Sequence, residues 1–127
     1  MGLFQVRVRV ANPSSRERSF EDDFWVDTGA LYSFVPRDRL EAIGLQSTGK
    51  RRLVLADGRT ETMEIGEAYF HISQLGETLT CPVIFAPPGS LLLLGATALE
   101  NFGVGADPET KALKPILAII GGFLGSR

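Results

Sequence analysis

Histidine, cysteine and tryptophan occur once each in this 127-residue chain, as His71, Cys81 and Trp25. That scarcity narrows the chemistry. One His and one Cys are too few for the usual zinc ligand sets, so no metal is expected. A Ser-His-Asp or Cys-His arrangement would have to use His71, which sits in the alternation Glu67, Tyr69, His71, where a partly exposed structural histidine is the ordinary reading. With Cys81 alone no disulfide can close within the chain, and a reducing compartment, the cytoplasm, is the default expectation. An excess of one charge is lacking as well. Thirteen Lys and Arg against 15 Asp and Glu leave a net charge of −2, which gives no global basic field for nucleic acid. The one dense basic cluster, Lys50-Arg51-Arg52, has no interleaved aromatics and reads as a solvated turn. No nucleic-acid partner is expected. The apolar run 116–124 falls well short of the roughly 20 residues that span a bilayer, and residues 1–10 alternate Arg with Val, unlike a signal peptide. Gly103-Val104-Gly105 begins like a dinucleotide loop, but Pro108 stands where the third glycine belongs, so no cofactor is expected.

What is present suits one compact domain over residues 1–127, since 44% hydrophobic residues suffice for a single core. Phe4, Val6, Val8 and Val10 alternate with Gln5, Arg7 and Arg9, the period of a half-buried strand. Asn12-Pro13-Ser14-Ser15 ends it. A second strand, 20–26, runs through Phe24-Trp25-Val26 into Asp27-Thr28-Gly29. Pro36 and Gly44 bracket a short helix, with proline at its first position. Strands at 52–55 and 62–72 flank Ala56-Asp57-Gly58-Arg59, whose Asp-Gly pair is the strongest hairpin signal in the chain. Further strands are expected at 80–85 and 91–94, the latter buried, with a turn at Pro87-Pro88-Gly89, a second short helix at 97–102 and a hairpin over 104–113. The fold class expected from this order is mostly β, a barrel or sandwich with one or two short helices.

Among the carboxylates Asp27 has the unusual setting: the end of an apolar strand, where burial should disfavour its charge, followed at once by a Thr-Gly turn. Asp and Gly are also ordinary turn residues, and the tripeptide alone is only suggestive. Its company adds to it. Phe24-Trp25-Val26-Asp27-Thr28-Gly29-Ala30, then Ala56-Asp57-Gly58-Arg59, then Leu92-Leu93-Leu94-Gly95 resemble, in order and spacing, the active-site loop, flap tip and second apolar-apolar-glycine segment of the retropepsin-like aspartic proteases. Leu99-Glu100-Asn101-Phe102-Gly103 and residues 104–113 resemble the closing helix and strand of prokaryotic members.

The resemblance implies a single-lobed closed β-barrel of the acid protease fold and an aspartic endopeptidase working as a homodimer on extended peptides. One Asp27 per subunit would help activate a water, since a chain with one Asp-Thr-Gly cannot assemble the paired carboxylates alone. Thr28 would brace the loops across the two-fold axis, Gly29 and Ala30 would line the approach of substrate, residues 56–59 would form the flap, and Leu93, Leu94 and Gly95 would support the loop. Viral members commonly carry Asp after Asp-Thr-Gly-Ala and Arg after the second glycine, a pair that is Leu31 and Ala96 here. Asp57 would place an added carboxylate near the cleft. The run 116–124 is expected at an interface or in the core. Two other readings remain open: a catalytically inactive module of the same fold that binds peptides or dimerises, and a plain β-barrel whose Asp27 caps a turn.

Overall fold

The computed structural model describes residues 3–117. Strand β1 (Gln5–Asn12) buries Val6, Val8 and Val10 and exposes Gln5, Arg7 and Arg9, and Phe4, buried just before it, continues the alternation the sequence predicts. It turns through Pro13-Ser14 into β2 (Ser15–Val26), which starts earlier than residue 20 because Ser19 and Ser15 pair with Ala11 and Asn12 of β1. A register shift at Ala11/Asn12 marks the closing end of that hairpin. Buried Asn12 fills it: its amide donates to the Ile43 carbonyl at 2.9 Å, and its Oδ1 accepts from the Ser14 N–H at 2.8 Å.

After the Asp27 turn comes β3 (Ser33–Pro36), an element not expected from the sequence, and helix α1 (Arg37–Ala42). Pro36 is the residue before the first helical turn, with φ −52° and ψ 134°, and Gly44 at φ +83° ends the segment as the sequence suggests. Strands β4 (Gly49–Val54) and β5 (Thr60–Ile72) flank residues 55–59, so Lys50-Arg51-Arg52 lies within a strand and the expected turn there is corrected. Strand β6 (Glu77–Ala86) pairs with β5, and His71 Nδ1 lies 2.8 Å from Thr78 Oγ1, a cross-strand contact in keeping with a structural histidine. Strand β7 holds only Leu93–Leu94; Leu91, expected in a buried strand, is half exposed. Helix α2 (Ala96–Asn101) and a separate hairpin of β8 (Val104–Asp107) and β9 (Ala112–Pro115) follow.

The main sheet runs β1-β2-β7-β3-β6-β5-β4, and β1 also pairs with β5, so six strands form a ring from which β4 projects as an outer strand. Pairing is parallel between β2 and β7 and between β3 and β6, and antiparallel elsewhere. Within the ring Val8, Val10, Phe24, Phe70, Ile72 and Val83 are fully buried, and the Phe24 and Phe70 rings meet edge to face at 5.9 Å. Leu40 of α1 and Leu99 of α2 join the same core. No helix among the described residues is long and apolar enough to cross a membrane. Most of the run 116–124 lies outside the described residues; Ile116, 55% exposed, donates its N–H to the Gly103 carbonyl at 2.9 Å.

Candidate active site

Asp27 stands where β2 leaves the ring. Its backbone N–H donates to the Leu94 carbonyl at 3.0 Å, extending the parallel pairing of Trp25 with Leu93 and Val26 with Leu94. The chain then reverses. Gly29 N–H donates to Asp27 Oδ1 at 3.0 Å and Ala30 N–H to the Asp27 carbonyl at 3.2 Å, so the carboxylate is oriented by its own turn. The carboxyl is not deeply buried, as its position at the end of an apolar strand led one to expect; Asp27 is half-buried, with Thr28 and Gly29 exposed beside it.

The loop is fixed by a second segment crossing beneath it. Helix α2 begins without a side-chain cap, and its first N–H groups need acceptors. The Asp27 loop supplies them: Ala96 N–H donates to the Ala30 carbonyl at 2.8 Å and Thr97 N–H to the Leu31 carbonyl at 2.9 Å. Gly95 N–H donates to the buried Ser33 hydroxyl at 3.1 Å. The crossing is so close that a Cβ on Gly95 would lie 2.3 Å from the Tyr32 carbonyl oxygen and 2.9 Å from that of Ala30. Gly95 has φ −92°, so glycine is required by space and not by backbone conformation.

The hairpin between β4 and β5 faces this loop across a cleft of about 550 Å³. Asp27, Gly29, Ala30 and Leu31 form one side of it, residues 52–56 another, and Leu93 also lines it. The hairpin tip is a three-residue loop: Gly58 N–H donates to the Leu55 carbonyl at 2.9 Å, Leu55 N–H to the Arg59 carbonyl at 2.7 Å, and Gly58 takes φ +87°. Asp57 does not join the cleft lining. It accepts from Arg59 N–H at 3.0 Å and Arg59 Nε at 2.6 Å, and those hydrogen bonds hold its carboxyl below the usual aspartate range.

Of the residues singled out in the sequence, Asp27, Gly29, Ala30, Ala56 and Leu93 meet at the cleft; Leu94 is buried beneath it and Gly95 forms the crossing. Thr28 is exposed at the loop tip, and Asp57, Gly58 and Arg59 make the hairpin turn. Tyr32, Phe34, Leu53, Val54 and Leu55 also line the cleft and were not foreseen. Val54, at the end of β4, is apolar yet 75% exposed. Among the described residues no group of three or more His, Cys, Asp or Glu is placed to hold a metal ion.

No family model matches this chain, and neither does any curated protein. Among solved structures it is similar to the foamy viral protease-reverse transcriptase, determined in complex with an RNA/DNA hybrid, at a TM-score of 0.54 and 14% identity. The likeness is one of fold. It covers 91% of this chain and 13% of that one.

Proposed function

We propose that the chain is a retropepsin-like aspartic endopeptidase of the single-domain, prokaryotic type, its ring of strands the acid protease barrel, active as a homodimer on extended peptides. The observation that carries this reading is the mounting of Asp27: an oriented carboxylate on a backbone-locked turn, across a cleft of about 550 Å³ from a hairpin that could close over a bound chain. The fold shared with a protease-containing viral chain supports it.

Each protomer holds one such turn, so the reaction needs a two-fold partner that brings its own Asp27 to the axis. Two carboxylates about 3 Å apart share one proton. The ionised member takes a proton from water as it attacks, and the protonated member polarises the scissile carbonyl. The pair titrates as a unit. In this reading Thr28 braces the partner loop and Gly29 leaves room for the substrate backbone, and both residues are exposed at the loop tip. The hairpin at 56–59 acts as the flap, excluding water when it closes. The buried, free Cys81 is compatible with a reducing compartment such as the cytoplasm.

Leu31 and Ala96 favour a second reading, an inactive peptide-binding or dimerisation module. Leu31 is 61% exposed in the cleft, where viral members carry an acid. The test is hydrolysis of a peptide library by wild type and Asp27→Asn between about pH 3 and pH 7. Cleavage by wild type and none by the variant is expected. Equal cleavage by both would end the proposal, and peptide binding with no cleavage by either would leave the module.

A further inference from the structure

Resting on the proposed cleft, we infer that the guanidinium groups at its β4 end, Arg52 on the lining and Arg51 held at the lining residue Tyr32, draw a carboxylate side chain of the bound peptide to that end, making the substrate class acidic segments interleaved with apolar residues. Arg52 lines the cleft, and Arg51 Nε donates to the hydroxyl of Tyr32, another lining residue, at 3.3 Å. Both arginines are exposed. Across the ladder Lys50 faces Glu64, whereas Arg51 faces Met63 and Arg52 faces Thr62, so their cross-strand partners carry no charge.

The nearby acids are engaged elsewhere. Glu64 accepts from Arg37 and, at 2.9 Å, from the Ser47 hydroxyl. Asp57 holds Arg59 at 2.6 Å, and Glu61 lies 4.0 Å from the same guanidinium. Among the described residues neither Arg51 nor Arg52 has a carboxylate within ion-pair distance. The cleft that Asp27 and Arg52 both line also presents the apolar side chains of Leu31, Phe34, Leu53, Val54 and Leu93. A peptide seated on these displaces water, and a guanidinium left beside a dried apolar surface gains most from a carboxylate it can fork. A second acid beside Asp27 would set two carboxyl groups against each other at the scissile bond. The preferred acid therefore sits away from the scissile bond, toward β4, with apolar residues between. A lysine there meets like charge and is selected against.

The test uses the full chain and one apolar host peptide carrying Glu, Gln or Lys in turn at each position flanking the scissile bond, assayed near pH 6, where Glu is ionised. At one or more positions kcat/KM for Glu should exceed that for Gln by about tenfold, with Lys below both. The Glu/Gln ratio should fall to about one in Arg51→Gln/Arg52→Gln, survive in Arg51→Lys/Arg52→Lys and shift toward Lys in Arg52→Glu. Equal rates for the three peptides in wild type, or a Glu preference that persists in the Gln double variant, would overturn the inference. Binding of the same labelled peptides to Asp27→Asn, read by fluorescence anisotropy, separates it from the proposed reaction. If wild type cleaves nothing but Asp27→Asn prefers the Glu peptide and loses that preference on removal of both arginines, proteolysis fails and the inference stands. Binding without that preference, or no binding, overturns it. Trp25 fluorescence through a denaturant titration confirms that each variant is folded.

Discussion

Gly95→Ala probes the junction on which the site is mounted. The new methyl would sit 2.3 Å from the Tyr32 carbonyl oxygen, 2.5 Å from its carbon and 2.9 Å from the Ala30 carbonyl oxygen. All three are backbone atoms, so no side chain can swing aside, and the Asp27 loop must lift away from α2. Overpacking a tight site costs about 1–3 kcal/mol. The lift also strains the hydrogen bonds from Ala96 to Ala30, Thr97 to Leu31 and Gly95 to Ser33, each worth about 1 kcal/mol net. A loss of about 3–5 kcal/mol is expected, a large part of the 5–15 kcal/mol that holds a domain together. Urea unfolding followed by Trp25 fluorescence measures it as a lower midpoint at unchanged slope. Gly49→Ala in β4 is the control, because its nearest neighbour, Ile65 Cγ2, lies at an ordinary 3.7 Å; its midpoint should hold or rise slightly. If Gly95→Ala is within about 0.5 kcal/mol of wild type, the crossing does not hold the Asp27 loop in place.

Ser33→Ala removes the hydroxyl that receives the buried Gly95 N–H; it should destabilise the chain by about 1–3 kcal/mol in the same assay, whereas Ser33→Thr, which keeps an acceptor, should recover part of the loss. Asp107 is held down to a pKa of about 2 by hydrogen bonds from Lys114 and then the Glu109 N–H. Its contribution to stability is therefore present above the ordinary aspartate pKa and lost as pH falls from about 4 toward 2. Carboxyl NMR titration should show that value return toward normal in Lys114→Ala. Burial pushes the Cys81 thiol up to about 11, so a thiol reagent at neutral pH should label it only as the protein unfolds, and rapid labelling of the native chain would contradict that burial.

The local features of the site were legible in the sequence because they are local. Phe24-Trp25-Val26 running into Asp27-Thr28-Gly29 marks a strand ending in a turn, and Asp57-Gly58 marks a hairpin whose glycine takes positive φ. What escaped notice depends on distant partners. Ser33-Phe34-Val35-Pro36 ends in proline and looks too short for a strand, yet parallel pairing with residues 83–86 makes it one. Polar Arg16-Glu17-Arg18 lies within β2 because the flanking Ser15 and Ser19 pair with Asn12 and Ala11 of β1 across a register shift. Leu91 belongs to the same apolar run as Leu93 and Leu94 but lacks their neighbours, and it stays exposed. Gly95 was legible as a motif residue, but its spatial requirement arises only where two segments cross. The convergence of Tyr32, Phe34 and residues 53–55 on one cleft is likewise a product of the ring's topology.

Subunit mixing tests the shared site most directly. Wild type is equilibrated with an equal amount of Asp27→Asn, under conditions where protomers exchange, and peptide hydrolysis is measured per wild-type chain. If one Asp27 from each protomer builds the site, random pairing leaves about half of the original activity, and excess variant drives it toward zero. Activity that stays constant however much variant is added would mean that a single chain carries a complete site, and the two-fold pairing of Asp27 would be refuted.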